Sequence, residues 1–367
     1  MPGAAVRRDG AHVAAPERGA AAAPAPGCTR RGGGGQWRRG LRQTGRTRVT
    51  DVDPTPDGTV SPFMTEAAFR SLHSELLRQA SDGAEHRRGA LAHLTPARVA
   101  AAAADVRHGR TLSLAAPIET QPGPDDPQPA VYRLTAPTPP ETGTPGVHFA
   151  LDRFAMNVHG DAHTHLDALC HVVFDGELHG GVPESRLAAG AARGITLDLV
   201  RDGIVGPGLL LDVPRLRGVP WLEPGDFVTA GDLAAAEEAQ GVRIGPGDLL
   251  LVRVGHRRRR QEAGAWNAAH SRAGLHPACM RLLAERQVAV LGSDGNNDTA
   301  PSPVPGVSFP VHVLALHALG MHLMDYLDLE ELADACAGLG RWRFLCTVAP
   351  LRLPGATGSP VNPIAVL

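Results

Sequence analysis

Between His159 and His171 the chain reads His-Gly-Asp-Ala-His-Thr-His-Leu-Asp-Ala-Leu-Cys-His, and this segment restricts the possible folds more than any other. Counted by twos, His159, Asp161, His163, His165 and Asp167 fall on one side of an extended chain, because successive side chains of a strand leave opposite faces. A face of five imidazoles and carboxylates is too costly to desolvate inside an apolar core. The fold must therefore turn that face toward a cleft, water or a cation. Alternate residues lie ~6.6 Å apart along a strand, so their side chains can converge on one ion. Imidazole with carboxylate is a donor set for zinc or manganese, at ~2.0–2.2 Å. His179 lies outside the alternation, beside Gly180-Gly181, and reads as an ordinary loop histidine.

The flanking sequence is that of an α/β protein. Strand-length apolar runs at Leu112–Ile118, Gly208–Val213, Leu249–Val254 and Val288–Leu291 alternate with helical patterns at Ala230–Gln240 and Pro277–Arg286. Upstream, Phe69, Leu72, Leu76 and Leu77 recur at helical spacing after Thr65, and Thr95-Pro96 opens a second, Ala-rich helix to Asp105. These patterns divide the chain into a leader over 1–63, a helical lead-in over 64–111 and an α/β domain over 112–367. The leader is rich in Ala, Gly and Pro, a composition that buries too little surface to offset chain entropy, so it reads as disordered, or as an extension ahead of a start near Met64. Its first 50 residues hold ten arginines against Asp9 and Glu17, a net of +8, which leaves −10 on the rest of a chain whose total is −2.

That acidic remainder would repel phosphate, which argues against nucleic acid as a partner, and Arg257–Arg260 reads as a solvated loop. No stretch approaches the ~20 apolar residues of a membrane helix. Five scattered cysteines without a CxxC pair offer neither a disulfide framework nor a thiolate zinc site, and point to a reducing, cytoplasmic setting. Cys170 reads as a core thiol. A serine-nucleophile elbow and a phosphate-binding loop are both missing from the sequence.

Thr164–His171, Thr-His-Leu-Asp-Ala-Leu-Cys-His, resembles the metal-binding signature of the cyclase family of metal-dependent amidohydrolases, His-x-Gly-Thr-His-x-Asp-x-Pro-x-His. That family includes bacterial kynurenine formamidase and isatin hydrolase. The segments Val288–Asp298 and Pro310–Leu332 resemble its second block, where a histidine and a carboxylate complete the site, and the likeness runs over about residues 110–350. His165, Asp167 and His171 match the signature. Asp161 stands where the family has its first histidine, His163 where it has glycine, Leu169 where it has proline, and Asp325 where formamidases more often carry Glu.

The resemblance implies a swivelling β/β/α-type domain, with a mixed central sheet or barrel and flanking helices, commonly as a homodimer. It also implies a divalent metal, Zn or Mn, held by His165, Asp167 and either Asp161 or His163. His171 would act as general base and then acid, while His312 and Asp325 would bind a second metal or orient the first ligands. The geometry of the second block allows this. A helix from His312 to Leu319 rises ~12 Å, Gly320 can end it, and a strand from Met321 to Asp325 returns ~16 Å. The expected activity is hydrolysis of a small amide or lactam. Metal-dependent ring closure or dehydration of a polyketide-like substrate, or metal binding without catalysis, are the alternatives.

Overall fold

Why the histidine segment ends up beside a cleft follows from how the apolar runs assemble. The computed structural model describes residues 62–81, 86–135, 149–188, 190, 192 and 194–367. The leader, up to residue 61, and Cys28 with it, lie outside the described residues. Nine strands form one mixed sheet: β1 (Thr111–Ser113), β2 (His165–Asp167), β3 (Ile204–Asp212), β4 (Leu249–Arg253), β5 (Val290–Ser293), β6 (His322–Asp325), β7 (Arg343–Val348), β8 (Gly358–Pro360) and β9 (Ile364–Val366). Their order across the sheet is β1-β9-β7-β3-β4-β5-β6-β2-β8. The four middle strands β3, β4, β5 and β6 run parallel, and every other pairing is antiparallel.

The parallel centre is apolar on both faces, as a sheet covered on both sides must be. Leu209–Leu211, Leu249–Val252 and Val290–Leu291 are all fully buried. Helices flank it. Helix Glu66–Ser81 starts on Thr65, whose hydroxyl accepts from the Ala68 amide at 3.2 Å, and buries Phe69, Leu72 and Leu76 along one stripe. Helix Pro96–Ala104 has the expected Thr95 cap and Pro96 at its first turn. Helix Ala230–Gln240 is closed by a capping box between Thr229 and Asp232. No described helix is long and apolar enough to cross a membrane.

Two expectations need correction. The extended run expected over Leu112–Ile118 shrinks to Thr111–Ser113, because the chain leaves the sheet ahead of Pro117, which has no amide proton to donate. Arg257–Arg260 is not a loop; it lies in helix His256–Ala263. The Asp294 carboxylate accepts from the backbone amides of Val254, Gly255 and His256 at 2.6–2.8 Å, fixing that helix's amino end. Arg257 is buried and donates to the Ala162 carbonyl at 3.0 Å, while Arg260 pairs with Glu119 and Asp125. The acid that nucleates this helix comes from the next strand, so the local sequence gives no sign of it.

The chain between β5 and β6 carries the second block. A short helical turn, Pro310–His312, continues as the π-helix Val313–Leu319, and Gly320 ends it in the left-handed conformation at φ +63°. Only glycine suits that turn: a Cβ there would lie 2.6 Å from His179 Nε2 and 2.8 Å from the Gly89 Cα. The chain then returns along β6.

Candidate metal centre

Register does the first part of the assembly. In the antiparallel β6–β2 pair Asp325 stands directly opposite His165, and Met324 opposite Leu166. Residues opposite one another share a face, and Asp167, two residues on, shares it too. His165, Asp167 and Asp325 therefore leave one side of the sheet, while Leu166 and Met324 enter the core on the other.

The alternation expected from His159 to Asp167 holds only over β2. Residues 156–164 belong to no strand, and 158–163 are bends, so each of their side chains is aimed by its own local backbone and not by a pleat. His163 faces away from the site: its Nε2 is 3.2 Å from the Glu119 amide nitrogen and 3.4 Å from Asp126. Asp161 reaches the same cleft wall, but its Oδ1 accepts from the Tyr326 hydroxyl at 2.6 Å. His159 comes in instead, with Nδ1 2.9 Å from Asp167 Oδ1.

Two groups of donors result, each with its ligating atoms within 4.8 Å of one another: His159, His165 and Asp167, and Asp167, His312 and Asp325. Asp167 belongs to both. Its Oδ1 lies 3.5 Å from His165 Nε2, and its Oδ2 lies 3.4 Å from His312 Nε2, which is also 3.3 Å from Asp325 Oδ2. The helix–turn–strand return of the second block does bring His312 and Asp325 together. His171 stands beside the first group, its ring stacked on that of His159 at 3.7 Å between centroids.

Each imidazole is aimed by its far nitrogen. His165 Nδ1 donates to the His163 carbonyl at 2.8 Å, and His312 Nδ1 donates to Asp298 at 2.6 Å. His159 Nε2 meets the Thr357 hydroxyl at 3.0 Å. Asp298 also accepts the amides of Val311 and His312 at 2.6 and 3.0 Å. Asp325 is held by Asn297 through its amide and side chain, and by Asn296 at 2.9 Å. His322 Nδ1 donates to the Asp167 carbonyl at 2.7 Å.

The electrostatics follow from carboxylates crowded out of water. Burial works against the charge on Asp167, yet His159, His312 and His165 hold its carboxyl well below the usual range. Burial likewise disfavours a charged His312, but Asp325, Asp167 and Asp298 raise it well above an ordinary imidazole. Burial pushes His171 down to about 4, with Asp167 opposing it. The carboxylates thus demand positive charge in this spot, which protons or a cation can supply.

These groups open into a cleft of about 680 Å³. Beside them its lining is apolar, with Val172, Val173, Phe174, Val307 and Phe309. At the rim, Arg70 pairs with Glu66 at 2.9 Å and Asp175 at 2.8 Å, and lies 5.3 Å over the Phe174 ring. Sequence reasoning left out Asp298, Asn296, Asn297 and Tyr326, and placed His159 on the face without giving it a role. A run of three amide and acid residues, Asn296-Asn297-Asp298, right behind an apolar strand was the available signal for the first three.

Comparison with known proteins bears on the family and the fold. The family model Putative cyclase matches residues 90–297. A solved structure of a novel cyclase is 30% identical, with a TM-score of 0.71, over 80% of this chain and 99% of its own. Isatin hydrolase A from Labrenzia aggregata, bound to benzyl benzoate, is 19% identical with a TM-score of 0.50, over 70% of this chain and 93% of its own. No curated protein matches the sequence.

Proposed function

The chain belongs to the cyclase family, and on that premise we propose that it is a metal-dependent hydrolase of the C–N bond in a small amide or lactam. One observation carries the reading: three imidazoles, each fixed through its far nitrogen, aim their near nitrogens at two buried carboxylates. Partners on the outer nitrogen are the usual companions of metal-ligating histidine. The inner atoms agree. Both oxygens of Asp167 and Nδ1 of His159 are buried without a hydrogen bond, although Nδ1 lies only 2.9 Å from Asp167 Oδ1. Atoms close together yet badly angled for one another suit a common cation.

His159, His165 and Asp167 would hold one divalent ion, and Asp167, His312 and Asp325 a second; the mixed nitrogen and oxygen donors suit Zn or Mn. When bound, such an ion polarises a carbonyl and lowers the pKa of water. The chain's own part is positional. Asp298 fixes the His312 tautomer, Asn296 and Asn297 fix Asp325, and the apolar wall seats the body of a small organic substrate. His171, on the cleft wall beside the first group, takes the proton from the attacking water and returns it to the leaving nitrogen. The same reading takes the chain as a homodimer, supported by the hairpin Val131–Thr135/Leu151–Ala155, all of whose residues are exposed, Tyr132, Leu134 and Phe154 among them.

Metal analysis of the purified protein, beside His165→Ala, is the deciding experiment. At least one equivalent of Zn or Mn is expected in the parent and a loss in the variant. Chelation should abolish hydrolysis of formanilide or of isatin, the lactam that names a structural neighbour. Full turnover by metal-free protein would sink the mechanism; a metal-loaded protein that hydrolyses no amide, lactam or lactone would sink the hydrolase reading.

A further inference from the structure

Asp161 stands where the resembling signature has a metal-binding histidine, yet the structure gives it other work. It lies outside both donor groups. Its Oδ1 is taken by the Tyr326 hydroxyl at 2.6 Å. Tyr326 is itself fixed: it is fully buried, sits at φ +54°, and its carbonyl accepts from Thr164 Oγ1 at 2.5 Å. A non-glycine residue holds that left-handed conformation only where its surroundings impose it. The residue after Asp325 thus clamps the residue that precedes His165 by four.

The cleft has four lining carboxylates among the described residues. Glu66 and Asp175 are neutralised by Arg70, and Asp325 belongs to the second donor group. Asp161 is the remaining one. It is half-buried, belongs to neither donor group and forms no ion pair with an arginine among the described residues, and with Oδ1 taken by Tyr326 its second oxygen is the one available to the cleft. An ionised carboxylate is an acceptor only, so what it can recognise on a neutral substrate is a donor. Resting on the hydrolase reading above, we propose that Asp161, clamped by Tyr326, accepts the N–H of the substrate's amide or lactam and so selects substrates bearing one. Esters, lactones and N-alkylated amides lack that donor, and would leave a charged acceptor facing them without a partner.

The test compares isatin with N-methylisatin, whose rigid ring keeps its shape while the N–H is replaced. The metal-loaded parent should prefer isatin by about 10- to 100-fold in kcat/KM. Asp161→Asn preserves the shape and still accepts from Tyr326, but turns an N–H donor toward the cleft; the preference should collapse toward one, with metal content kept at the parent's level. Tyr326→Phe frees Asp161 to swing, and should reduce the preference mainly through KM. Loss of metal in Asp161→Asn as complete as in His165→Ala would overturn the proposal and make Asp161 a ligand. A preference that survives in Asp161→Asn would overturn it as well. Should the parent hydrolyse neither compound, the hydrolase reading falls separately; calorimetric affinities of the same two lactams then carry the ratio, with the same collapse expected and its absence again decisive.

Discussion

Two sets of histidines shielded from solvent differ in almost everything but residue type. In the cleft, His159, His165 and His312 are tied at the far nitrogen and aim the near one at Asp167 and Asp325. Behind it, His73 and His317 face one another at 3.0 Å under the Phe174 ring, and His179 donates to the His317 carbonyl at 2.8 Å. Burial pushes His73 down and His317 to about 4, whereas the equally buried His312 is raised by three carboxylates. Density of imidazole does not make a metal site. Carboxylates on the near side and a fixed tautomer on the far side do.

The contrast can be broken at its strongest point by Asp167→Asn, which keeps the shape but removes the charge common to both groups. Metal affinity, measured by chelator competition, should fall on the order of 100-fold or more. Asp298→Asn comes next: it leaves every ligand in place but loosens the aim of His312, and a loss of about 10- to 100-fold is expected. An affinity equal to the parent's would show that the outer partner is idle. Gly358→Ala sharpens the comparison without replacing a polar side chain. The added Cβ would lie 2.5 Å from His159 Cε1 and 2.8 Å from the Leu166 carbonyl, so His159 must move. About 10-fold weaker binding of one ion, with the other retained, should appear in a metal titration.

The smallest effect on metal belongs to His317→Ala, which should leave metal content unchanged and alter only the response to acid. His317 stays neutral in the fold down to about 4 but takes up a proton near 6.5 once unfolded. The unfolded chain binds more protons between those values, so stability falls as pH drops through that window. Urea titrations at pH 7 and 4.5 should show a narrower gap for the variant; an equal gap would assign the acid sensitivity to other histidines that burial pushes down, such as His256 at about 3 and His276 and His322 at about 4.

What could be read in the sequence was whatever a local pattern decides. Thr95-Pro96 and Thr229 mark their helices because the cap and the helix are neighbours, and Leu249–Arg253 and Gly208–Asp212 are strands because nothing interrupts their apolar runs. His312 and Asp325 could be brought to one level by counting rise per residue across Gly320. The alternation from His159 to Asp167 misled because it presumed a pleat where the chain bends, and nothing local distinguishes a two-residue repeat in a loop from one in a strand. His163 turned away because Glu119 and Asp126 lie on its side, and Asp161 was captured by a tyrosine more than 160 residues on. Such partners are set by the sheet order, which brings β6 and β8 against β2.

One carboxylate shared by two donor groups also fixes how they fill. Because Oδ1 of Asp167 serves the first group and Oδ2 the second, an ion held by one group would draw on the negative charge that an ion in the other would need. Two ions held there would therefore load in opposition, and filling one group should weaken the affinity of the other in a metal titration.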